Sequence, residues 1–203
     1  MCRFIETIRI ENKQLQHVEA HIRRMAETQH HFFGLNQRLD LASLISMPDS
    51  MDHSIYKCRI LYDAQIWEVS ITPYVPKLLE KLKLISSDEA EYAYKFENRS
   101  HFEELLAKKG AADELLIVKN GCITDTSYSN VVFFDGKNWY TPDTFLLNGT
   151  CRQRLLLQGK IHEMHITTDN LHRFVGVKPI NAMLDFDETP MLQVLTDVLS
   201  MDS

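Results

Sequence analysis

Three short segments of this chain carry residue types that could act together in chemistry. The first contains Lys95, the second contains Asp125 about thirty residues later, and the third contains a Gly149-Thr150 turn in front of a basic helical stretch. A neutral lysine amine can add to an aldehyde and can later act as a base. A carboxylate can pair with a protonated ring nitrogen, and a glycine turn that opens a helix presents backbone N–H groups to an anion.

Each feature alone has a common structural explanation, because a helix-surface lysine is usually a solvated charge and Asp125 alone is equally typical of a turn or an N-cap. The order and spacing of the three predict a site for pyridoxal 5′-phosphate. Lys95 would form the covalent link to the cofactor aldehyde, Asp125 would pair with the pyridinium nitrogen, and the Gly149-Thr150 turn would bind the phosphate.

Five segments in the same order along the chain resemble the class IV pyridoxal-phosphate enzymes, which include branched-chain and D-amino acid aminotransferases and aminodeoxychorismate lyase. The resemblance covers most of the chain. It implies a homodimer in which a small-molecule amino substrate reacts at a bound pyridoxal phosphate. The matching segments are Ala20–Met25, Tyr94–Arg99, Ala112–Leu115, Asn138–Pro142 and Ile180–Met183.

The resemblance also assigns cofactor contacts. Arg24 corresponds to the family's phosphate-binding arginine, although the adjacent Arg23 leaves open which of the two faces the site. Backbone N–H groups of Gly149, Thr150 and Cys151 would complete the phosphate site.

Two further assignments concern the cofactor ring and proton transfer. Asp125 stands where the family usually has glutamate, which is one methylene longer, and Asn130 closes the same motif as a further cofactor-binding residue. Thr7 matches a threonine of the lyase branch that could relay a proton, while Lys95 would be the catalytic base.

The residue pattern favours an α+β fold, since strand pairs with short turns outnumber βαβ units. We predict a small N-terminal α/β domain over residues 1–76 and a larger cofactor-binding domain over residues 77–203, separated at Pro73–Pro76. The resemblance implies the two-domain fold of D-amino acid aminotransferase, with a shortened N-terminal domain because Met1 falls almost at the strand that holds Thr7.

Three local predictions can be compared directly with a structure. Phe4–Ile10 alternates as a strand that turns at Asn12-Lys13, and Glu19–Phe33 is a helix that ends at Gly34. Pro190–Leu199 is predicted as a C-terminal amphipathic helix.

Composition excludes several classes of function. The net charge of −6 argues against a general nucleic-acid surface, and no apolar run has the roughly 18 residues that span a bilayer. The four cysteines show no metal-ligand spacing, so we expect free thiols, no metal site and a cytoplasmic location.

Three functions remain open at this point. The first is a lyase that releases pyruvate and 4-aminobenzoate from 4-amino-4-deoxychorismate in folate biosynthesis, which the lyase-like segments around Arg24, Lys95 and Asn148 favour. The second is an aminotransferase of branched-chain or D-amino acids. The third is a degenerate protein that binds the cofactor without catalysis, as the short N-terminal domain and Asp125 would allow.

Overall fold

The computed structural model describes residues 2–36 and 39–200. Two compact units emerge. The first contains the described residues up to Pro76 together with Tyr94–Asn98, and the second contains Lys77–Ala93 and the described residues from Arg99 onward. The segment that contains Lys95 therefore belongs to the first unit, whereas the sequence pattern predicts it within the second domain, residues 77–203.

The first unit is an antiparallel sheet covered by one long helix. Asn12 and Lys13 have φ values of 50° and 59°, a pair of left-handed residues that forms a tight hairpin turn, as predicted. Gly34, with φ 68°, ends the long helix, which also confirms its predicted C-terminus. The sheet order is β2-β1-β3-β4, and the elements are β1 (Phe4–Glu11), β2 (Gln14–Leu15), α1 (Val18–Phe33), α2 (Leu41–Leu44), β3 (Tyr56–Tyr62) and β4 (Ile66–Pro73).

The core of this unit lies between α1 and one face of β1. Phe4, Ile8 and Ile10 are fully buried and pack with Ile22 and Met25 of the helix. Because alternate residues of a strand share a face, Glu6 also projects toward α1 from this apolar face.

The second unit contains two sheets. A five-stranded sheet has the order β10-β9-β8-β11-β12, and a four-stranded sheet has the order β13-β5-β6-β7. The elements are β5 (Leu82–Ser86), α3 (Ser100–Leu106), β6 (Glu114–Lys119), β7 (Cys122–Ile123), β8 (Asn130–Phe134), β9 (Trp139–Pro142), α4 (Thr150–Leu157), β10 (His162–Met164), a 3-10 turn (Thr168–Arg173), β11 (Gly176–Ile180), β12 (Leu192–Gln193), α5 (Val194–Asp197) and β13 (Val198–Leu199).

Antiparallel strand pairs make up the whole first sheet and outnumber parallel pairs in the second unit, which confirms the α+β prediction. Among the strands of the described residues, three pairs are parallel: β5 with β6, β5 with β13, and β9 with β10. No helix among residues 2–36 and 39–200 is long and apolar enough to cross a membrane.

The predicted C-terminal helix Pro190–Leu199 is wrong. Leu192 pairs with Val177 at the edge of β11, and Val198 pairs with Leu82 of β5, so only Val194–Asp197 is helical. The open sheet edges offer backbone hydrogen bonds that outweigh the helical pattern, and Leu195 of the predicted apolar stripe is 82% exposed.

Candidate active site

Lys95 lies in a short extended segment that runs antiparallel to the beginning of β1. The Ile5 N–H donates to the Lys95 carbonyl at 2.9 Å, and the Glu97 N–H donates to the Arg3 carbonyl at the same distance. These two backbone bonds fix the lysine segment beside the strand. The Lys95 side chain is half-buried.

The aromatic neighbours of Lys95 define where its side chain points. Tyr94 and Phe96 both contact Phe32 of α1, with ring centroids 4.8 Å and 5.8 Å away, and Phe96 lies 5.0 Å from Phe4. Neighbouring residues of an extended segment project to opposite sides. The Lys95 side chain is therefore directed away from α1.

Thr7 lies on that same side of β1. It is two residues from Ile5, the residue bonded to the Lys95 backbone, and residues two apart in a strand share a face. Thr7 is half-buried, whereas Glu6 next to it points to α1. The structure thus brings Lys95 and Thr7 to one face of the strand.

Arg24 is on the opposite face, in a buried ion cluster. Its Nε and Nη2 atoms donate to the two carboxylate oxygens of Glu6 at 2.7 Å and 2.6 Å, and His21 Nδ1 lies 2.6 Å from Glu6 Oε2. Burial alone would raise the pKa of Glu6, but the Arg24 charge and the hydrogen bonds from His21 and Arg24 lower this pKa to about 2. Arg23 is exposed, so Arg24 is the arginine that faces the sheet.

Glu6 and His21 were missed in the sequence. The signal was an acid at a core-facing position of β1, opposite a histidine and an arginine three residues apart on α1, since such residues share one helix face. A carboxylate enclosed on an apolar face requires a cationic partner.

In the second unit, Asp125 is buried and accepts three hydrogen bonds. Its Oδ1 accepts from Asn130 Nδ2 at 2.8 Å, and its Oδ2 accepts from the backbone N–H groups of Leu146 and Leu147 at 3.1 Å and 2.9 Å. Burial raises the pKa of Asp125 to about 6, because these donors and the charge of Arg152 offset the loss of hydration only in part.

Gly149 is the N-cap of α4 and packs directly on Asn130. A Cβ atom at position 149 would come within 2.1 Å of Asn130 Oδ1. The Asn130 amide cannot easily move, since its Nδ2 donates to both Asp125 and the Leu147 carbonyl at 2.8 Å and 2.7 Å. The structure thus brings together Asp125, Asn130 and the turn in front of α4.

Thr150 and Cys151 begin α4 and are buried. The Cys151 side chain packs among apolar residues such as Val132 and Leu155, where burial raises the pKa of its thiol. An anion at this turn would therefore meet the backbone of position 151 rather than its side chain. No side chain caps α4, and the first amides of a helix have no acceptor within it.

Arg152 has a structural role. It is almost fully buried, lies 4.1 Å above the Phe145 ring, and donates to the Pro142 carbonyl at 3.1 Å and to Glu163 Oε1 at 2.5 Å. These contacts hold the loop between β9 and α4, which supplies the amides that bind Asp125.

Two other residues without a predicted role support the Asp125 loop from its opposite end. The Arg99 guanidinium donates to the Ser127 carbonyl, and Glu114 Oε1 accepts from the Ser127 N–H at 3.2 Å. Arg99 also lies over the rings of Tyr92 and Phe102. The segments Tyr94–Arg99 and Ala112–Leu115 contained both residues, so their sequence signal was present without a role attached.

The chain belongs to the class IV aminotransferase family, whose model, described as "Amino-transferase class IV", matches residues 67–186. It is 38% identical to an uncharacterised protein of Haemophilus influenzae over 88% of this chain and 96% of that protein. Enzymes of this family use pyridoxal 5′-phosphate, which confirms the predictions of the family, of an enzyme and of its cofactor.

The solved structures that are similar to this chain include the following two. A candidate 4-amino-4-deoxychorismate lyase from Haemophilus somnus 129PT superposes with a TM-score of 0.84 at 31% identity, covering 90% of this chain and 97% of its own. The pyridoxal-phosphate-bound form of a hypothetical aminotransferase from Mycobacterium tuberculosis superposes with a TM-score of 0.69 at 17% identity, covering 94% of this chain and 79% of its own. They confirm the predicted class IV fold.

The described residues fit this cofactor. An ionised carboxylate has about four acceptor positions, so Asp125, with three neutral donors, retains capacity for a ring N–H. The uncapped start of α4 suits a phosphate, and Lys95 in the first unit has the primary amine that the cofactor aldehyde requires. Among the described parts of the chain, no three His, Cys, Asp or Glu side chains converge on a point that could hold a metal ion.

Proposed function

We propose that this enzyme is a 4-amino-4-deoxychorismate lyase that releases pyruvate and 4-aminobenzoate. The observation that carries the proposal is the shared face of β1, where Lys95 is held by the Ile5 backbone bond two residues from Thr7. A base and a hydroxyl donor on one face suit an elimination, which takes a proton from one atom and returns one to the leaving group. Similarity to the Haemophilus somnus candidate lyase supports the same function.

Each residue of this pair would have one task. When bound, pyridoxal phosphate supplies an electron sink for negative charge at the substrate carbon. The Lys95 amine would take the proton from that carbon. The Thr7 hydroxyl would relay a proton to the departing enolpyruvyl group. The half-buried position of both residues limits their access to water.

The resemblance to the family assigns the cofactor contacts to individual residues. Arg24 and the backbone N–H groups of Gly149, Thr150 and Cys151 would bind the phosphate. Asp125 would accept a hydrogen bond from the protonated ring nitrogen, with Asn130 keeping the carboxylate oriented. Glu6 would act as a positioning residue, because its bidentate contact fixes the plane of the Arg24 guanidinium.

An aminotransferase acting on branched-chain or D-amino acids is the second candidate. The similarity to the Mycobacterium tuberculosis protein, described as an aminotransferase, favours it. Both functions need Lys95, but an aminotransferase converts its cofactor to the amine form and stops until a keto acid arrives. A lyase turns over with one substrate alone.

The test is pyruvate formation from 4-amino-4-deoxychorismate without added keto acid. We expect turnover that is lost in Lys95→Ala and retained in Lys108→Ala, a control at an exposed lysine. Thr7→Val should lower kcat by about a hundredfold, the contribution of a positioned proton donor, while Thr7→Ser should keep most of it. Accumulation of the amine form with an amino acid, and no pyruvate, would assign the aminotransferase function instead.

Covalent attachment can be tested separately. Borohydride reduction of the cofactor-loaded protein followed by peptide mass mapping should find the adduct on Lys95. An adduct on another lysine would contradict the assignment.

Assembly and location extend the proposal. We expect a homodimer in the cytoplasm, acting in folate biosynthesis. The first unit, which ends at Pro76 and includes Tyr94–Asn98, is small enough to bury only a modest core, so it would gain stability from a partner subunit. A stable monomer in light scattering at micromolar concentration would contradict the dimer.

A further inference from the structure

A second group of chemically competent side chains lies in the second unit and has no part in the proposed reaction. Cys122 Sγ lies 3.6 Å from His165 Nε2, and His165 Nδ1 lies 3.1 Å from Asp143 Oδ1. A thiol, an imidazole and a carboxylate in this order form a relay in which the acid orients the imidazole and the imidazole accepts the thiol proton.

The backbone fixes this relay from three different elements. Cys122 is on β7, and the neighbouring Ile123 N–H donates to the Ile166 carbonyl at 2.8 Å. Asp143 follows β9, and its N–H donates to the Met164 carbonyl at 3.1 Å. The first bond ties the neighbour of Cys122, and the second ties Asp143 itself, to a residue next to His165, so backbone hydrogen bonds keep the three side chains close together.

The group is accessible to small molecules. The side chains of His165 and Asp143 are 60% and 44% exposed, and Cys122 is partly exposed. Cys122 also lines a cavity of about 540 Å³ whose wall includes Lys119, Asn120 and Thr144. This volume lies within the range of small-molecule sites, and its wall combines the ammonium of Lys119 and the carboxylate of Glu91 with neutral hydrogen-bonding groups.

We propose that Cys122 is a thiol-modification site that reacts with a low-molecular-weight disulfide of the peptide type, with His165 as the base. The Cys122 thiol proton passes to His165 Nε2, and the thiolate sulfur attacks one sulfur of the disulfide. The S–S bond breaks, and the leaving thiolate takes the proton from His165. One mixed disulfide and one free thiol result, and the attacking disulfide is the only oxidant.

Carboxylates of such a peptide disulfide have a cationic partner in Lys119, whose ammonium also donates to the Ala90 carbonyl at 2.7 Å. The cavity next to Cys122 can hold the attached half of the molecule. The three reacting side chains, Cys122, His165 and Asp143, have no role in the lyase proposal, although Leu146, whose N–H donates to Asp125, also lines this cavity.

The chain contains its own controls for a test. Cys2 is an exposed thiol outside this cluster, and Cys58 and Cys151 are buried. The intact protein is incubated with glutathione disulfide at neutral pH, and peptide mass mapping over time gives the rate at each cysteine. We expect Cys122 to react roughly tenfold faster than Cys2, because the His165 imidazole stands beside the Cys122 thiol and can accept its proton.

The rate ratio of Cys122 to Cys2 within one molecule is the decisive quantity. His165→Ala should bring this ratio close to one without changing the Cys2 rate, and Asp143→Asn should lower it less. A ratio near one in the wild-type protein, or a ratio unchanged by His165→Ala, would overturn the proposal. Reaction at the buried Cys58 or Cys151 would reveal that the His165→Ala variant unfolds. The His165→Gln variant would then be measured instead, and we expect it to lower the Cys122-to-Cys2 rate ratio.

Discussion

Glu6 in the first unit and Asp125 in the second are both buried carboxylates whose oxygens accept hydrogen bonds. Their pKa values nevertheless move in opposite directions. Glu6 meets a full positive charge at 2.6–2.7 Å and the His21 ring, and its pKa falls to about 2. Asp125 meets neutral amide donors at similar distances, and its pKa rises to about 6.

The difference shows what kind of partner each carboxylate can still accept. Neutral dipoles stabilise an anion less than a guanidinium does, so they do not cancel the cost of removing it from water. Glu6 is already neutralised within its own unit and serves the structure. Asp125 remains an undercompensated anion, which is the state that a protonated pyridine nitrogen would relieve.

The largest expected effect is on stability when the compensated carboxylate is removed. Glu6→Gln removes the carboxylate charge that pairs with the mostly buried Arg24, so the free energy of unfolding should fall by about 3–5 kcal/mol. Urea denaturation of the apo-protein measures it. Glu11→Gln on the same strand is the control, because its partly exposed pair with Arg9 is worth less than about 1 kcal/mol. Equal losses in the two variants would refute the comparison.

The second prediction concerns the pH dependence of stability, to which the two carboxylates should contribute with opposite signs. The pKa of Glu6 is lowered from 4.5, so its contribution to stability is present above that value and is lost as the pH falls toward 2. The pKa of Asp125 is raised from 3.8, so its contribution is present below that value and is lost as the pH rises through about 6. Each shift corresponds to about 3 kcal/mol.

Asp125→Asn isolates this contribution. Relative to the wild-type apo-protein, the variant should gain about 3 kcal/mol of stability between about pH 4 and pH 6. Denaturation curves recorded across this interval provide the measurement. A constant difference between the two proteins over the whole interval would show that Asp125 is not a strained anion.

The third prediction concerns Arg24, which Glu6 orients. Arg24→Lys keeps a positive charge but loses the planar fork, so the preference for pyridoxal phosphate over pyridoxal should fall by about 1.5–3 kcal/mol. Arg23→Lys at the exposed neighbouring position should leave this preference unchanged. The ratio of two cofactor affinities in the same variant separates phosphate contact from loss of folding. Equal ratios for both variants would exclude Arg24 from the phosphate site.

The smallest effect is expected at the turn that shares Asn130 with Asp125. Gly149→Ala forces the Asn130 amide to move and should weaken cofactor binding by about 1–3 kcal/mol, the usual cost of overpacking a fixed site. Gly159→Ala is the control, since it introduces backbone strain at φ 66° but meets no atom within 4 Å. Fluorescence titration of both variants tests this, and the same affinity for both would show that the turn can relax.

Local structure was predictable where residues close in sequence determine it. The alternation of Phe4–Ile10, the two left-handed residues Asn12 and Lys13, and the glycine at position 34 each act over a few residues. The order of the lysine, acid and glycine motifs likewise indicated the family and its cofactor. The C-terminal segment failed because its apolar spacing suited a helix, while unpaired sheet edges far away in sequence captured it.

The sequence by itself thus determined which residue types are available and which short elements carry them. Only the tertiary structure decided that Glu6 would meet Arg24, that the Leu146 and Leu147 amides would bind Asp125, and that His165 would face Cys122. The physical reason is that backbone donors have no sequence signature. The pKa of a carboxylate, moreover, depends on whether a distant segment brings it a full charge or a neutral dipole.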